Sequence, residues 1–302
     1  MDLRDVEYFA VVAEHGNVTR ASEALGLTPT ALSKSLRRLE KSVGARIVKR
    51  TPKGVDLTAV GSALLVRIQK IRLAVDDASR EAADLGQGRA GHLRIGTGPT
   101  TCDELPHVYA ALAREAPKLS LEIVVSDNDV MVPRLRKGEL DLIFNYYFAM
   151  SYQDTFQEHL YRDEFVVCAS ANHRLAKRKR VTLADLEHEQ WALSVRNLTP
   201  QQRLLDAFQE RGLAAPQIAV HTRSLSVRLG IWATTNLLGY MSRRVIRRNA
   251  ASFPLCELPV EELVLRRNVG VLYRKDAYLS PAAQRFVEIL KATTRRTVAE
   301  NR

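Results

Sequence analysis

The chain has 302 residues, enough for two or three domains, and 46% of them are hydrophobic, as in ordinary soluble globular proteins. Its net charge of +11 and pI near 9.8 favour an anionic partner such as nucleic acid. No run approaches the ~18 apolar residues of a membrane span, a secretory leader is not expected from a start with the early acids Asp2 and Asp5 and no uninterrupted apolar run, and Cys102, Cys168 and Cys256 are too scattered for a disulfide framework or a metal site.

Residues 3–14 are expected to form a first helix, with Val6, Phe9, Ala10 and Ala13 on one face and Gly16 closing it. A short second helix follows, capped by Asn17 or Thr19, with Ala21, Ala24 and Leu25 as its apolar set and Gly26 at its end. Thr28 is then an N-cap and Pro29 a first helical residue, where no N–H is needed. Leu32, Leu36, Leu39 and Val43 repeat at four, three and four, which makes one narrow stripe. Thr30, Lys34, Arg37, Arg38 and Lys41 fall opposite it, with Ser33 at the margin. Two helices joined by a tight glycine-containing turn, the second with a basic polar face, read as a helix-turn-helix. Residues 17–53 hold nine Lys and Arg against two Glu, a local charge of +7.

A β-hairpin wing is expected next, with a strand over 46–50, a turn over 51–54 and a return strand over 55–58. Lys49, Arg50 and Lys53 near its tip suit phosphates or a minor groove. Leu64, Ile68, Ile71, Val75, Ala78, Ala82 and Leu85 then run as an apolar heptad seam, which calls for a partner and reads as a dimerisation helix. Two reading heads on one dimer match a two-fold-symmetric DNA site.

Phe9, Ala21, Ala24 or Leu25, Ser33, Leu39-Glu40, Gly44, Arg50, Leu57-Thr58 and Gly61 together resemble the N-terminus of the LysR-type transcriptional regulators. The chain departs from that pattern at Asn17-Val18, where Ser-Phe is usual, and at Ser22, where an alanine is usual. Thr28-Pro29-Thr30 stands in place of Ser-Gln-Pro, so a glutamine that reads a base in the family is missing here. The resemblance implies an α+β multidomain protein. It would comprise a winged helix-turn-helix over residues 1–58, a long dimerisation helix over 59–86, a hinge at 87–91, and a two-lobed α/β effector domain over 92–302 with a periplasmic-binding-protein-like fold. Lobe I is placed at about 92–162 and 267–302, and lobe II at about 163–266. The implied partners are double-stranded promoter DNA, a small effector, and a second copy of the chain, up to a dimer of dimers. RNA polymerase stands as a further partner, and the cytoplasm is the expected compartment. On this reading Thr28, Pro29, Thr30, Ser33, Lys34, Arg37 and Arg38 face the major groove, while Arg50 and Lys53 grip backbone or minor groove.

Beyond residue 91 strands and helices alternate, a rhythm that predicts a mainly parallel sheet covered by helices on both faces. The strands are expected at 92–98, 119–127, 140–147, 164–170, 190–195, 217–222, 237–242 and 263–273. Ligands bind outside the C-terminal ends of such strands. The candidates there are Thr100, Thr101, Asn145, Arg196, Asn197, Thr199, Thr222 and Arg223, a set suited to a carboxylate. The basic run Arg174, Lys177, Arg178, Lys179 and Arg180 reads as a solvated loop. No cofactor motif appears. An alternative is a helix-turn-helix fused to a catalytic α/β domain, but no Gly-x-Ser-x-Gly, P-loop, His-Glu-x-x-His or Cys-x-x-Cys supports it, and Cys102 near His107 reads as a small core residue.

Overall fold

In a computed structural model, the structure describes residues 1–52, 54–87, 91–147, 152, 154–194 and 199–300, without the side chains of 84–87 and 297–300. The chain forms two compact units, Met1–Ala83 and Asp84–Arg302.

The first unit begins with α1 (Leu3–His15), capped by Asp2 and closed by Gly16 in the left-handed region. Asn17, rather than Thr19, caps α2 (Val18–Ala24), its side chain accepting from the N–H groups of Thr19 and Arg20. Ser22, which replaces the family's alanine, is buried and returns its hydroxyl to the Thr19 carbonyl. The third helix, α3 (Pro29–Val43), has the expected Thr28 cap, Pro29 at its start and Gly44 at its end. Phe9, Ala21, Leu32, Leu36, Leu39 and Ile47 close the core of this unit.

The wing consists of β1 (Val48–Thr51) and β2 (Gly54–Leu57), paired antiparallel. The first strand starts two residues later than expected because other groups take the backbone of residues 46 and 47. Ile47 N–H donates to the Glu40 carboxylate, its carbonyl accepts from Thr58 N–H, and Arg46 C=O accepts from the Thr58 hydroxyl. The wing is fixed to the α1–α2 turn through Val55 N–H donating to Gly16 C=O at 2.7 Å.

Helix α4 (Ala59–Gln87) divides the seam in two. Leu64 and Ile68 pack into the core of their own unit, with Ile68 only 1% exposed. Ile71 and Val75 are 40% and 57% exposed, and Ala78 and Ala82 are also exposed. The side chain of Leu85 lies outside the described residues. The spacing therefore serves an intramolecular contact first and leaves only its later positions open.

The second unit holds a seven-stranded sheet built from β3 (His92–Thr97), β4 (Ser120–Val125), β5 (Leu142–Tyr147), β6 (Thr155–Ser170), β9 (Gly239–Ser242), β10 (Leu255–Glu257) and β11 (Leu265–Arg274). Its order is β10-β6-β11-β5-β3-β4, with β9 also on β6. A separate parallel pair joins β7 (Gln190–Leu193) to β8 (Gln217–His221). The expectation of a mainly parallel sheet is corrected here, since among the described strand pairs only β3–β4, β3–β5 and β7–β8 are parallel. The 16-residue β6 is antiparallel to β9, β10 and β11, and it runs nine residues ahead of the expected start at Glu164. Together β6 and β11 form a two-stranded crossing, paired from Leu265↔Phe165 to Arg274↔Thr155. Gly270 is required in this crossing, because a Cβ there would meet the Glu158 carbonyl at 2.0 Å.

Helices cover both faces at each end of the crossing. At one end α5 (Leu105–Glu115) and α10 (Pro281–Glu300) pack around Leu112 and Phe286, and α6 (Asn128–Arg136) covers the opposite face through Met131 and Leu135. At the other end α7 (Thr199–Glu210) closes a cluster around Trp191, while α8 (Leu225–Thr234) and α9 (Arg243–Asn249) close one around Trp232. The result is a two-lobed α/β unit.

Candidate nucleic-acid interface and effector cleft

On α3 the apolar stripe faces inward, so the opposite face is left to solvent. Pro29, Thr30, Lys34 and Arg37 are exposed and Ser33 is half-buried. Neither Lys34 nor Arg37 has an ion-pair partner among the described residues. The Thr28 hydroxyl is occupied by its cap to Ala31 N–H at 3.2 Å. Arg50 is exposed on β1, opposite Val55, whereas Lys49 is paired with Asp56 at 3.7 Å. Lys53 lies outside the described residues.

Arg38 differs from the rest of that face. Its Nε and Nη2 donate to the buried Asp5 carboxylate at 3.0 and 2.5 Å, and Ser35 Oγ donates to the same group at 2.5 Å. Arg38 thus ties α3 to α1, and its free edge is all that remains for a phosphate. The Arg38 hydrogen bonds hold the Asp5 carboxyl below its usual range, against the desolvation of burial. A carboxyl lowered on folding contributes stability that is present above its unfolded value and lost as pH falls through the folded one. Asp5→Asn is therefore expected to destabilise the first unit by about 1.5–3 kcal/mol at neutral pH. The gap from the unmutated chain should close on acidification below pH ~4, read from helix circular dichroism melts. A pH-independent gap would remove the charge from the explanation.

Between the two ends of the crossing lies a cavity of about 40 Å³, lined by Thr100, Asp127, Phe165, Gln201, Arg228 and Arg267 among others. Arg267 lines it with a side chain 0% exposed. Its Nε and Nη2 donate to Asp163 Oδ2 at 3.0 and 2.6 Å, and Nη2 also donates to Thr100 Oγ1 at 3.1 Å. Its guanidinium stacks over the rings of Phe165 and Tyr146, at 4.1 and 4.6 Å from their centroids. Arg228 projects from α8 and is buried, which pushes its guanidinium pKa down. Asp127 is raised by burial, against the pull of Arg223.

Of the strand-end candidates, Thr100 lines this cavity, and Thr199 stands exposed at the start of α7, next to Pro200 and Gln201 of the lining. Thr101 and Asn145 are turned inward. Thr101 Oγ1 accepts from Gly98 N–H and donates to backbone carbonyls. The Asn145 amide donates to Asn128 Oδ1 at 2.9 Å. These bonds fasten the β3 and β5 ends to α6 and leave neither group for a ligand. The Thr222 hydroxyl accepts from Ser224 N–H, a local turn. Arg223 bridges to Asp127 at 2.8 Å and to Asp129 at 2.8 Å, so it acts as a strap between the two ends of the unit. A second strap joins Arg244 and Arg248 of α9 to the buried Glu104, with Arg248 also on Asp103. Arg196 and Asn197 lie outside the described residues.

The sequence reading missed Gln201, Arg228 and Arg267. For Arg228 and Arg267 the one signal was an arginine set inside an apolar helix or strand, and Gln201 carried none. The Cys102 thiol is pushed up to about 11 by burial and by the neighbouring Asp103, which does not suit a nucleophile.

The family model "LysR substrate binding domain" matches residues 86–295, and "Bacterial regulatory helix-turn-helix protein, lysR family" matches residues 3–62. The chain is 25% identical over 301 residues to the transcriptional regulator GbpR of Azospirillum brasilense, covering 97% of this chain and 87% of the relative. Among solved structures, full-length CbnR with its target DNA aligns with a TM-score of 0.60 at 20% identity, over 97% of this chain and 100% of CbnR. The regulatory domain of CcmR from Synechocystis, in complex with 2-PG, aligns with a TM-score of 0.61 at 18% identity, over 68% of this chain and 97% of that domain. With both models matched across the two units just described, the chain belongs to the LysR family of transcriptional regulators.

Proposed function

We propose that this chain is a cytoplasmic transcriptional regulator that reads promoter DNA with α3 and answers to a small carboxylate-bearing effector held around Arg267. The observation that carries the reading is the exposed face of α3 around Thr30, Lys34 and Arg37, set over a core that accounts for every leucine on the other side. Its solved relative CbnR is complexed with target DNA and its relative CcmR with 2-PG. Thr30, Ser33, Lys34 and Arg37 meet base edges, and Arg50 and Lys53 meet phosphates or the minor groove. Effector binding acts by preferring one arrangement of the two lobes over another. The relatives carry the names of transcriptional regulators.

Footprinting of the promoter of the chain's own gene, with and without candidate organic acids, tests the reading. Arg37→Ala is expected to weaken specific binding by ~1–3 kcal/mol and to relax one operator position. Loss spread evenly over all sequences would instead make Arg37 a phosphate contact. Self-association, as a dimer and then a dimer of dimers, is assigned to the open positions of α4. Ile71→Asp should leave the first unit folded and shift sedimentation toward the monomer; an unchanged profile would remove α4 from the interface.

A further inference from the structure

Of the six buried side-chain polar atoms that lack a hydrogen-bond partner among the described residues, three are borne by residues that line the same cavity. They are Arg267 Nη1, Arg228 Nε and Gln201 Oε1. All three residues are more than nine-tenths buried. Native interiors pair nearly all such atoms, and each exception calls for an explanation.

The rest of Arg267 is accounted for. Two of its nitrogens serve Asp163 and Thr100, and its faces are covered by Phe165 and Tyr146. Only Nη1 is left to act on a guest. Both orphan donors belong to guanidinium groups, and a charge-assisted bond to an oxyanion is their strongest match. The orphan acceptor is a neutral amide oxygen, which demands an N–H or O–H from the same guest. Phe165, Met241 and the ring of Tyr240, whose hydroxyl is committed to the Leu263 carbonyl, give the lining an apolar part. Of the two arginines in the lining, Arg267 is paired with Asp163, whereas Arg228 has no ion-pair partner among the described residues, and one carboxylate would supply it. A second negative charge on the guest would be buried without a counter-ion. The volume of about 40 Å³ admits roughly three water molecules, so the guest is short even if the lobes part slightly.

We propose that the cleft selects a short monocarboxylate bearing a hydroxyl group, its carboxylate on Arg267 Nη1 and Arg228 Nε and its hydroxyl donating to Gln201 Oε1. This rests on the effector reading above and adds the class of effector. A site built to bond a hydroxyl rejects the analogue that lacks it, because the acceptor is then left buried and unpaired.

The full-length protein is titrated with lactate, propionate, malonate and alanine, monitored by tryptophan fluorescence. Trp232 reports on the site, since the Arg228 guanidinium lies 5.7 Å from its ring centroid. Lactate should bind at least tenfold more tightly than propionate, malonate or alanine. Gln201→Leu should abolish the lactate–propionate difference while propionate binding is retained. Equal binding of lactate and propionate overturns the hydroxyl assignment and leaves the cleft reading intact. Preference for malonate or alanine overturns the charge assignment in the same way. If none of the four acids binds and none alters the promoter footprint, the cleft reading itself falls, and this inference with it.

Discussion

Replacing Gly61 with alanine is expected to unfold the DNA-reading unit well before the rest of the protein. Gly61 lies in the first turn of α4, where the helix passes over the backbone between α3 and the wing. A Cβ at this position would stand 1.9 Å from the Ile47 carbonyl oxygen and 2.9 Å from its carbon. The obstacle is backbone, so no side chain can swing away. Ile47 cannot retreat either, because its side chain is fully buried, its N–H is held by Glu40, and its carbonyl is held by Thr58 N–H. Thr58 meanwhile caps α4 by accepting from Gly61 N–H at 3.0 Å. Pushing the helix off therefore breaks the cap and opens the core together. The cost is placed at roughly 3 kcal/mol or more, the upper part of the range for overpacking. In a unit of this size each kcal/mol lowers Tm by about 4–8 °C, so a drop of roughly 12–24 °C follows.

The readout separates the two units. Both tryptophans, Trp191 and Trp232, belong to the second unit, so tryptophan fluorescence follows that unit alone, while helix circular dichroism follows both. Gly61→Ala should shift an early dichroism transition, abolish DNA binding, and leave the fluorescence transition in place. An unshifted dichroism melt would mean that α4 and the Ile47 backbone are not in contact.

The N-terminal unit was legible because its signals are local. The Thr28 cap, Pro29, the leucine stripe and Gly44 each constrain their own helix within a few residues. Gly61 is also visible in the motif, although only the structure shows that it is small to let Ile47 pass. The heptad seam was harder to read. A three-four repeat marks an apolar stripe without saying what covers it, and Ile68 is covered by its own unit whereas Ile71 is open. In the second unit the rhythm of strands gave the layers but not the sheet direction. The first half of β6 breaks the polar–apolar alternation of a strand, with Gln157, Glu158 and His159 in a row before Leu160 and Tyr161, and its antiparallel partner β11 lies about a hundred residues away. Strand-end reasoning collected Thr100, which lines the cavity, together with Thr101 and Asn145, which turn inward, and Arg223, which straps the lobes. Nothing local identifies Arg267, since Asp163, which holds it, is 104 residues distant.

That separation gives the second large effect, the expected loss on changing Asp163 to alanine. Asp163 is the sole carboxylate bonded to the Arg267 guanidinium among the described residues, and its side chain is only 4% exposed. It also accepts from Ser242 Oγ at 3.0 Å, which ties β6 to β9. Its removal strands a fully buried cation that already has one unpartnered nitrogen. Breaking such a pair costs about 3–5 kcal/mol, whereas replacing both members with apolar groups can be close to neutral. Asp163→Ala should therefore lower the tryptophan-detected Tm by roughly 6–20 °C, at 2–4 °C per kcal/mol for a unit of this length. The double variant Asp163→Ala with Arg267→Met should regain most of that loss. It should also be deaf to any carboxylate, because the donor that greets the ligand is gone. A double variant as unstable as the single would show that the damage comes from lost packing around β6. In that case the charge of Arg267 is tolerated without Asp163, and the balance of charges in the cleft has to be drawn differently.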